Sequence, residues 1–216
     1  MQKPHIGLFR YAASLAVGLS LVIPAVSLAA TSSFAPHIDS IEGSSPFWFA
    51  TGDFNGDGKL DVAVGDHFDN AIKVGLGDGT GNLSFTAYGG FSNPEAVQAG
   101  DVNGDGKLDL VTADASGNVS VLIGNGDGTF VVQPTTYPAG GSSVRLALGD
   151  LNGDGKLDVV VTHGIAGPPT LLFGDGLGGF GASTATGFGG NAVDAAIGNF
   201  NGDAFPDVIL LSGGQK

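Results

Sequence analysis

The sequence predicts an all-β chain built of β-propeller-type blades, each of four antiparallel strands, with about three full blades plus partial ones. Three observations predict it. An acidic, Gly-rich nine-residue loop recurs four times, at 53–61, 101–109, 150–158 and 199–207. The loop starts lie 48, 49 and 49 residues apart. Each interval holds the same short apolar runs, rich in β-branched residues, with period-two alternation and Gly-Asp-Gly turns between them.

The parts of each unit follow one order. An alternating apolar run leads into the loop, as in Val-Arg-Leu-Ala-Leu at 144–148, and a second leaves it, as in Leu-Asp-Val-Val-Val at 157–161. A third ends in a Gly-rich turn and an aromatic, Val-Leu-Ile-Gly-Asn-Gly-Asp-Gly-Thr-Phe at 121–130, and a weaker fourth run follows. The ends of the chain fall out of phase with the unit. Phe34 precedes Asp53 by 19 residues, much as Phe130 precedes Asp150 by 20 and Phe180 precedes Asn199 by 19, so the segment near Phe34 reads as the last strand of a blade. The sequence stops just after a second strand, at 211–216. A repeat domain over 31–216 is thus expected to be a small or incomplete propeller. The alternatives are a fragment of a larger ring and an open array that assembles with copies of itself. Open strand edges invite self-association or a partner's strand.

Composition narrows the class. Glycine is abundant, at 39 of 216 residues, but without a Gly-X-Y period, and 42% of residues are hydrophobic, which supports a core. There is no Cys, so disulfides cannot brace the chain and bound metal is the obvious substitute. The formal charge is −13. Nucleic acid is excluded as a partner, because phosphates require a basic face. Eleven of the 21 acidic residues fall inside the four loops, which points to cations.

The N-terminus has the pattern of a signal peptide over 1–30. Lys3 and Arg10 form a positive start, 11–30 is uncharged and mostly apolar, and Ser27-Leu28-Ala29 provides small residues for cleavage after Ala29 or Ala30. A retained anchor helix is the alternative, since about 20 apolar residues span a bilayer; Gly18 and Pro24 favour processing. Cleavage would take the formal charge from −13 to −15. The expected location is secreted, extracellular or cell-surface, or periplasmic if retained, with no membrane span after cleavage.

The loops carry an all-oxygen donor set suited to Ca²⁺, a hard cation that takes six to eight oxygens. In the first, Asp53, Asn55, Asp57 and Asp61 occupy positions 1, 3, 5 and 9, and position 7 offers the Lys59 carbonyl. The same roles fall to Asp101, Asn103, Asp105, Lys107 and Asp109, and to Asp150, Asn152, Asp154, Lys156 and Asp158. The fourth set, Asn199, Asn201, Asp203, Phe205 and Asp207, has lost an acid and has Ala204 for the second Gly, so three strong sites and a weaker fourth are expected. An EF-hand is excluded, because its position 12 must be a bidentate Glu between helices, and here it is Val64, Thr112, Val161 and Leu210 in strand-like runs. Magnesium suits the loops less, since it demands tight octahedral geometry. Plain Asx turns would explain one loop. They do not explain three loops with three carboxylates each, which would repel without a cation. Asp78, Asp127 and Asp175 lie in Asp-Gly turns without further carboxylates and are expected to close hairpins.

The Asp-x-Asn-Gly-Asp-Gly-x-x-Asp loop, followed by Gly-Asn-Gly-Asp-Gly-Thr-Phe at 124–130, resembles the FG-GAP/VCBS repeat, which builds the propeller of integrin α-subunits and of many exported bacterial proteins. The resemblance runs from about Phe34 to the C-terminus. It implies that each loop joins the first two strands of a blade and binds calcium on one face of the propeller, and it leaves the ligand open.

Trp48, Ala96, Arg145 and Asp194 each stand five residues before the first ligand position, flanked mostly by apolar residues, and are expected to point out of the core. Trp48 with Arg145 would suit a sugar or a peptide; the alternative is that Trp48 packs within the aromatic run 47–49. His37, His67 and His163 have no nucleophile or acid at a motif spacing, and His163 is expected at the surface of a strand end. The sequence therefore predicts an exported, calcium-binding, non-catalytic module with structural, adhesion or protein-interaction roles. The alternatives are a glycan-binding propeller lectin and a non-catalytic piece of a larger exported enzyme.

Overall fold

Strand 1 of each repeat ends in a Gly that pairs with the ninth loop residue, and this pairing sets the register of every sheet: Gly52 with Asp61, Gly100 with Asp109, Gly149 with Asp158 and Gly198 with Asp207. The computed structural model describes residues 7–8, 38–39, 45–143, 145–187, 190–203 and 205–212. Apart from the two-residue strand β1 (Gly7–Leu8), which pairs with β2 (Ile38–Asp39), the proposed signal peptide and Phe34 lie outside these residues.

Three sheets have four strands each, antiparallel and in sequence order. The first holds β3 (Pro46–Gly52), β4 (Asp61–Asp66), β5 (Ala71–Gly77) and β6 (Leu83–Gly89). The second holds β7 (Pro94–Gly100), β8 (Asp109–Asp114), β9 (Asn118–Gly124) and β10 (Phe130–Pro138). The third holds β11 (Arg145–Gly149), β12 (Asp158–Thr162), β13 (Thr170–Leu172) and β14 (Thr184–Ala185), with a one-turn 3₁₀ helix at Gly164–Ala166. A two-stranded sheet follows, β15 (Ala192–Gly198) with β16 (Asp207–Ser212). The predicted blades are therefore present, three full and one partial. Their first strands pack in succession, β3 on β7, β7 on β11 and β11 on β15. Among the described residues no contact of comparable extent returns from β15 to β3, and no helix is long and apolar enough to cross a membrane.

The core lies between blades. Val97, Leu110 and Leu122 of the second blade meet Ile72 and Val74 of the first. Val111, Ala113, Val119 and Val121, on its other face, meet Leu146, Val159, Val161 and Leu172 of the third. This explains why β4, β8 and β12 are buried along their whole length. A strand held between two neighbours needs apolar residues on both faces, and each fully buried Leu or Val contributes about 1.5–3 kcal/mol. Among the described residues β16 pairs with β15 alone, and Ile209 and Leu211 stand exposed.

A tight crossing recurs where the third strand of each full blade ends. A Cβ built on Gly77, Gly124 or Gly174 would lie 2.2, 2.1 and 2.1 Å from the carbonyl oxygens of Leu60, Leu108 and Leu157. The loop exit thus rests directly on the backbone of strand 3, and only Gly permits that approach.

The ends of the second strands carry a polar residue at matching repeat positions: Asp66, Asp114 and His163. All three are buried. Asp66 accepts hydrogen bonds from Ser45 N–H and Asp69 N–H and pairs with Lys73 (3.1 Å), and Asp114 accepts from Ser116 N–H and Asn118 N–H. His163 is not at the surface as expected. Its Nε2 lies 3.0 Å from Thr170 Oγ1 and its Nδ1 3.3 Å from the Ser142 carbonyl, and burial pushes its pKa down. The apolar context of 159–161 hid this, whereas the 48- and 49-residue offsets from Asp66 and Asp114 reveal it.

Candidate metal loops

Each loop turns its acids onto its own main chain. Asp53 Oδ1 accepts from Gly56 N–H (2.8 Å) and Asp57 N–H (3.1 Å), and Oδ2 accepts from Gly58 N–H (2.8 Å). Asn55 Oδ1 accepts from Asp57 N–H (3.0 Å), and Asp57 Oδ1 accepts from Lys59 N–H (2.9 Å). Gly56 and Gly58, at φ 74° and 78°, provide the left-handed backbone that brings these N–H groups round. The pattern repeats with Asp101, Asn103 and Asp105 and with Asp150, Asn152 and Asp154. These N–H bonds, led by that of Gly155, hold Asp150 below the usual carboxylate range.

The ninth residue behaves differently. Asp61, Asp109 and Asp158 are at most 1% exposed. In the second blade, Asp109 Oδ2 accepts from Val102 N–H (3.0 Å) and Oδ1 from Gly124 N–H (2.8 Å). Asp61 joins Phe54 N–H to Gly77 N–H, and Asp158 joins Leu151 N–H to Gly174 N–H. Each carboxylate therefore ties the loop entry to the end of strand 3. Burial pushes Asp109 and Asp158 up against the opposing pull of these N–H groups.

The lysines take one shared position. Their stems lie over the turn glycines Gly79, Gly126 and Gly176, and their ammonium groups stand 3.0, 3.9 and 3.7 Å from Asp57, Asp105 and Asp154. The Lys59 hydrogen bond holds Asp57 below its ordinary pKa. Asp53, Asp101 and Asp150 have no ion pair among the described residues. Asp78, Asp127 and Asp175 close the turns between strands 3 and 4, as expected, accepting from Thr80, Thr129 and from the Leu177 and Gly179 N–H groups.

Successive blades support each other's loops. Gly128 N–H of the second blade donates to the Phe54 carbonyl of the first loop (3.0 Å), and Gly178 N–H of the third to the Val102 carbonyl of the second (3.2 Å). Phe54 and Val102 are buried accordingly. Leu151 of the third loop instead lines a cavity of about 440 Å³ with Leu171, Val208 and Leu210. The fourth loop is closed by amides: Asn201 Nδ2 donates to Asp203 Oδ2 (2.9 Å) and Asp207 Oδ1 (3.2 Å), and Asn199 Nδ2 donates to the Asp203 carbonyl.

The donor set fits a hard divalent cation. It is all oxygen, and a carboxylate oxygen that accepts one N–H keeps a further lone pair. Among the described residues, no three His, Cys, Asp or Glu side chains already stand together as a metal-holding group.

The position five residues before each loop does not form one exposed face. Ala96 is 1% exposed and lies in the core. Trp48 is half-buried, packs on the first interblade cluster, and has the Arg145 guanidinium 3.8 Å above its ring.

Four-stranded sheets whose first two strands are joined by these loops define a repeat protein of propeller-like architecture. The family model of the FG-GAP-like repeat matches at 53–112 and again at 101–161, together half of the chain, and the chain belongs to that family. No curated protein gives a significant match.

Proposed function

We propose that this protein is an exported, calcium-binding, non-catalytic repeat module, which works by presenting blade surfaces to a partner. Export is supported by Lys3, Arg10 and the apolar run 11–30. The observation that carries the calcium reading is the first-position acid. Asp53, Asp101 and Asp150 are wrapped by the same three N–H groups in three loops, yet each lacks a cationic partner among the described residues. Calcium would be held by positions 1, 3, 5 and 9 and the carbonyl of position 7, with position 9 also tying the loop to strand 3. It would supply charge neutralisation and a rigid cross-link for each loop. Lys59, Lys107 and Lys156 would swing off the fifth-position acid as the ion arrives. The fourth loop, already closed by the Asn201 and Asn199 amides, should bind more weakly.

Calcium titration calorimetry tests this. The wild type should take up three ions at dissociation constants of about 10⁻⁴–10⁻³ M. Asp105→Ala should remove one of them, whereas Asp127→Ala, in a hairpin turn, should keep all. Equal loss in both variants would show that the loops and the turns have been assigned the wrong roles.

A further inference from the structure

The strand ends opposite the loops hold a carboxylate that the fold leaves without a hydrogen bond. Glu95 lies in the irregularity between Pro94 and Ala96 in the pairing of β7 with β8, and Phe47 lies in the matching irregularity between Pro46 and Trp48. Such bulges re-aim a side chain. The Glu95 side chain is only 17% exposed, and among the described residues nothing donates a hydrogen bond to it. Its nearest polar neighbour is His67 Nδ1, at 3.9 Å, an atom that is itself buried with no hydrogen-bond partner. Burial pushes the Glu95 carboxyl up, opposed by His67 and Arg145 and reinforced by Asp114. The carboxylate therefore keeps acceptor capacity that no described residue fills.

Aromatic rings flank His67, its nearest polar neighbour. His67 is stacked on Phe47 (5.4 Å between centroids) and meets Phe68 edge-on (5.3 Å). Phe47 and Phe68 are 50% and 69% exposed, so each offers ring surface to a visitor. The surrounding charge is acidic. Lys73 is already held by Asp66 and Asp69, and Arg145 is shared among Trp48, Asp194 and Glu95. Exposed aromatic faces near a carboxylate that accepts no hydrogen bond among the described residues favour a cation, which gains from the ring quadrupole and from the ion pair together.

We propose that the surface at Phe47, His67, Phe68 and Glu95 receives a basic side chain, lysine or arginine, of a protein partner. The partner's cation seats on Glu95 and lies against the exposed rings. This deepens the reading of the chain as an interaction module and does not depend on the calcium loops. A sugar is the less suitable occupant, because the local charge rewards a cation and the free face of Trp48 is capped by Arg145.

The test is an NMR titration of the full protein at saturating calcium with the peptide acetyl-Gly-Arg-Gly-amide, and with the same peptide carrying citrulline, which keeps the shape without the charge. The arginine peptide should shift the resonances of Phe47, His67 and Phe68, and the citrulline peptide should bind at least about tenfold more weakly. Glu95→Gln should cost about tenfold in affinity, with a melting midpoint unchanged or raised. Phe68→Ala, at an exposed ring, should cost about threefold and decides the matter if Glu95→Gln fails to fold. Equal binding of both peptides, no saturable shift, or shifts elicited by maltohexaose in place of the arginine peptide would each overturn the proposal. Retained arginine binding alongside a failed calcium titration would fault the loops and leave the Glu95 site standing.

Discussion

Replacing Asp109 by Ala should lower the melting midpoint by about 10 °C, and should do so even in chelator. The carboxylate is fully buried and accepts Val102 N–H and Gly124 N–H. Its removal orphans two buried donors, at about 1–3 kcal/mol each. For a domain of this size each kcal/mol is about 2–4 °C. Asp105→Ala, at an exposed position, should leave the chelator melt unchanged, because its proposed role is to bind the ion. Parallel melts of the two variants with and without calcium separate the roles. Matching midpoints for Asp109→Ala and wild type in chelator would remove the ninth acid from the structural account.

Gly124→Ala should be nearly as damaging, by about 3 kcal/mol. The added Cβ would fall 2.1 Å from the Leu108 carbonyl oxygen, and that oxygen belongs to backbone at the loop exit. Relief would require moving the exit away from strand 3, which pulls on the Gly124 N–H bond to Asp109. Gly89→Ala is the control, since nothing lies within 4 Å of its Cβ and its φ is unexceptional. Chemical denaturation should show a large loss for Gly124→Ala and a change within about 0.5 kcal/mol for Gly89→Ala. Similar effects at both positions would mean that the crossing is not a tight one.

Much of this architecture was legible in the residues. The 48- and 49-residue spacing located β4, β8 and β12, and the Gly-Asp-Gly turns located the ends of β5, β9 and β13. Local rules sufficed there, because period-two alternation and turn chemistry act within a few residues. Contacts between blades were not legible in the same way. The hydrogen bond from Gly128 N–H to the Phe54 carbonyl joins residues from neighbouring repeats, and its partner choice depends on how the blades twist against each other. The ninth acid has a structural role that the loop pattern does not display. Its burial under the end of strand 3 emerges only once three strands are assembled. Alternation makes Ala96 and Trp48 one outward-facing position, but the pairing irregularity just before each, together with the neighbouring blade, decides what is covered. Glu95 is illegible for the same reason: a lone Glu in a strand has no signature until His67 is in place beside it.

The central claim is that calcium holds the loops, and thermal melting of the wild type in calcium and in chelator tests it most directly. An ion present at a hundredfold excess over its dissociation constant stabilises by about 2.7 kcal/mol per site. Three such sites should raise the midpoint by at least about 10 °C. A midpoint that is the same in calcium and in chelator would contradict the account.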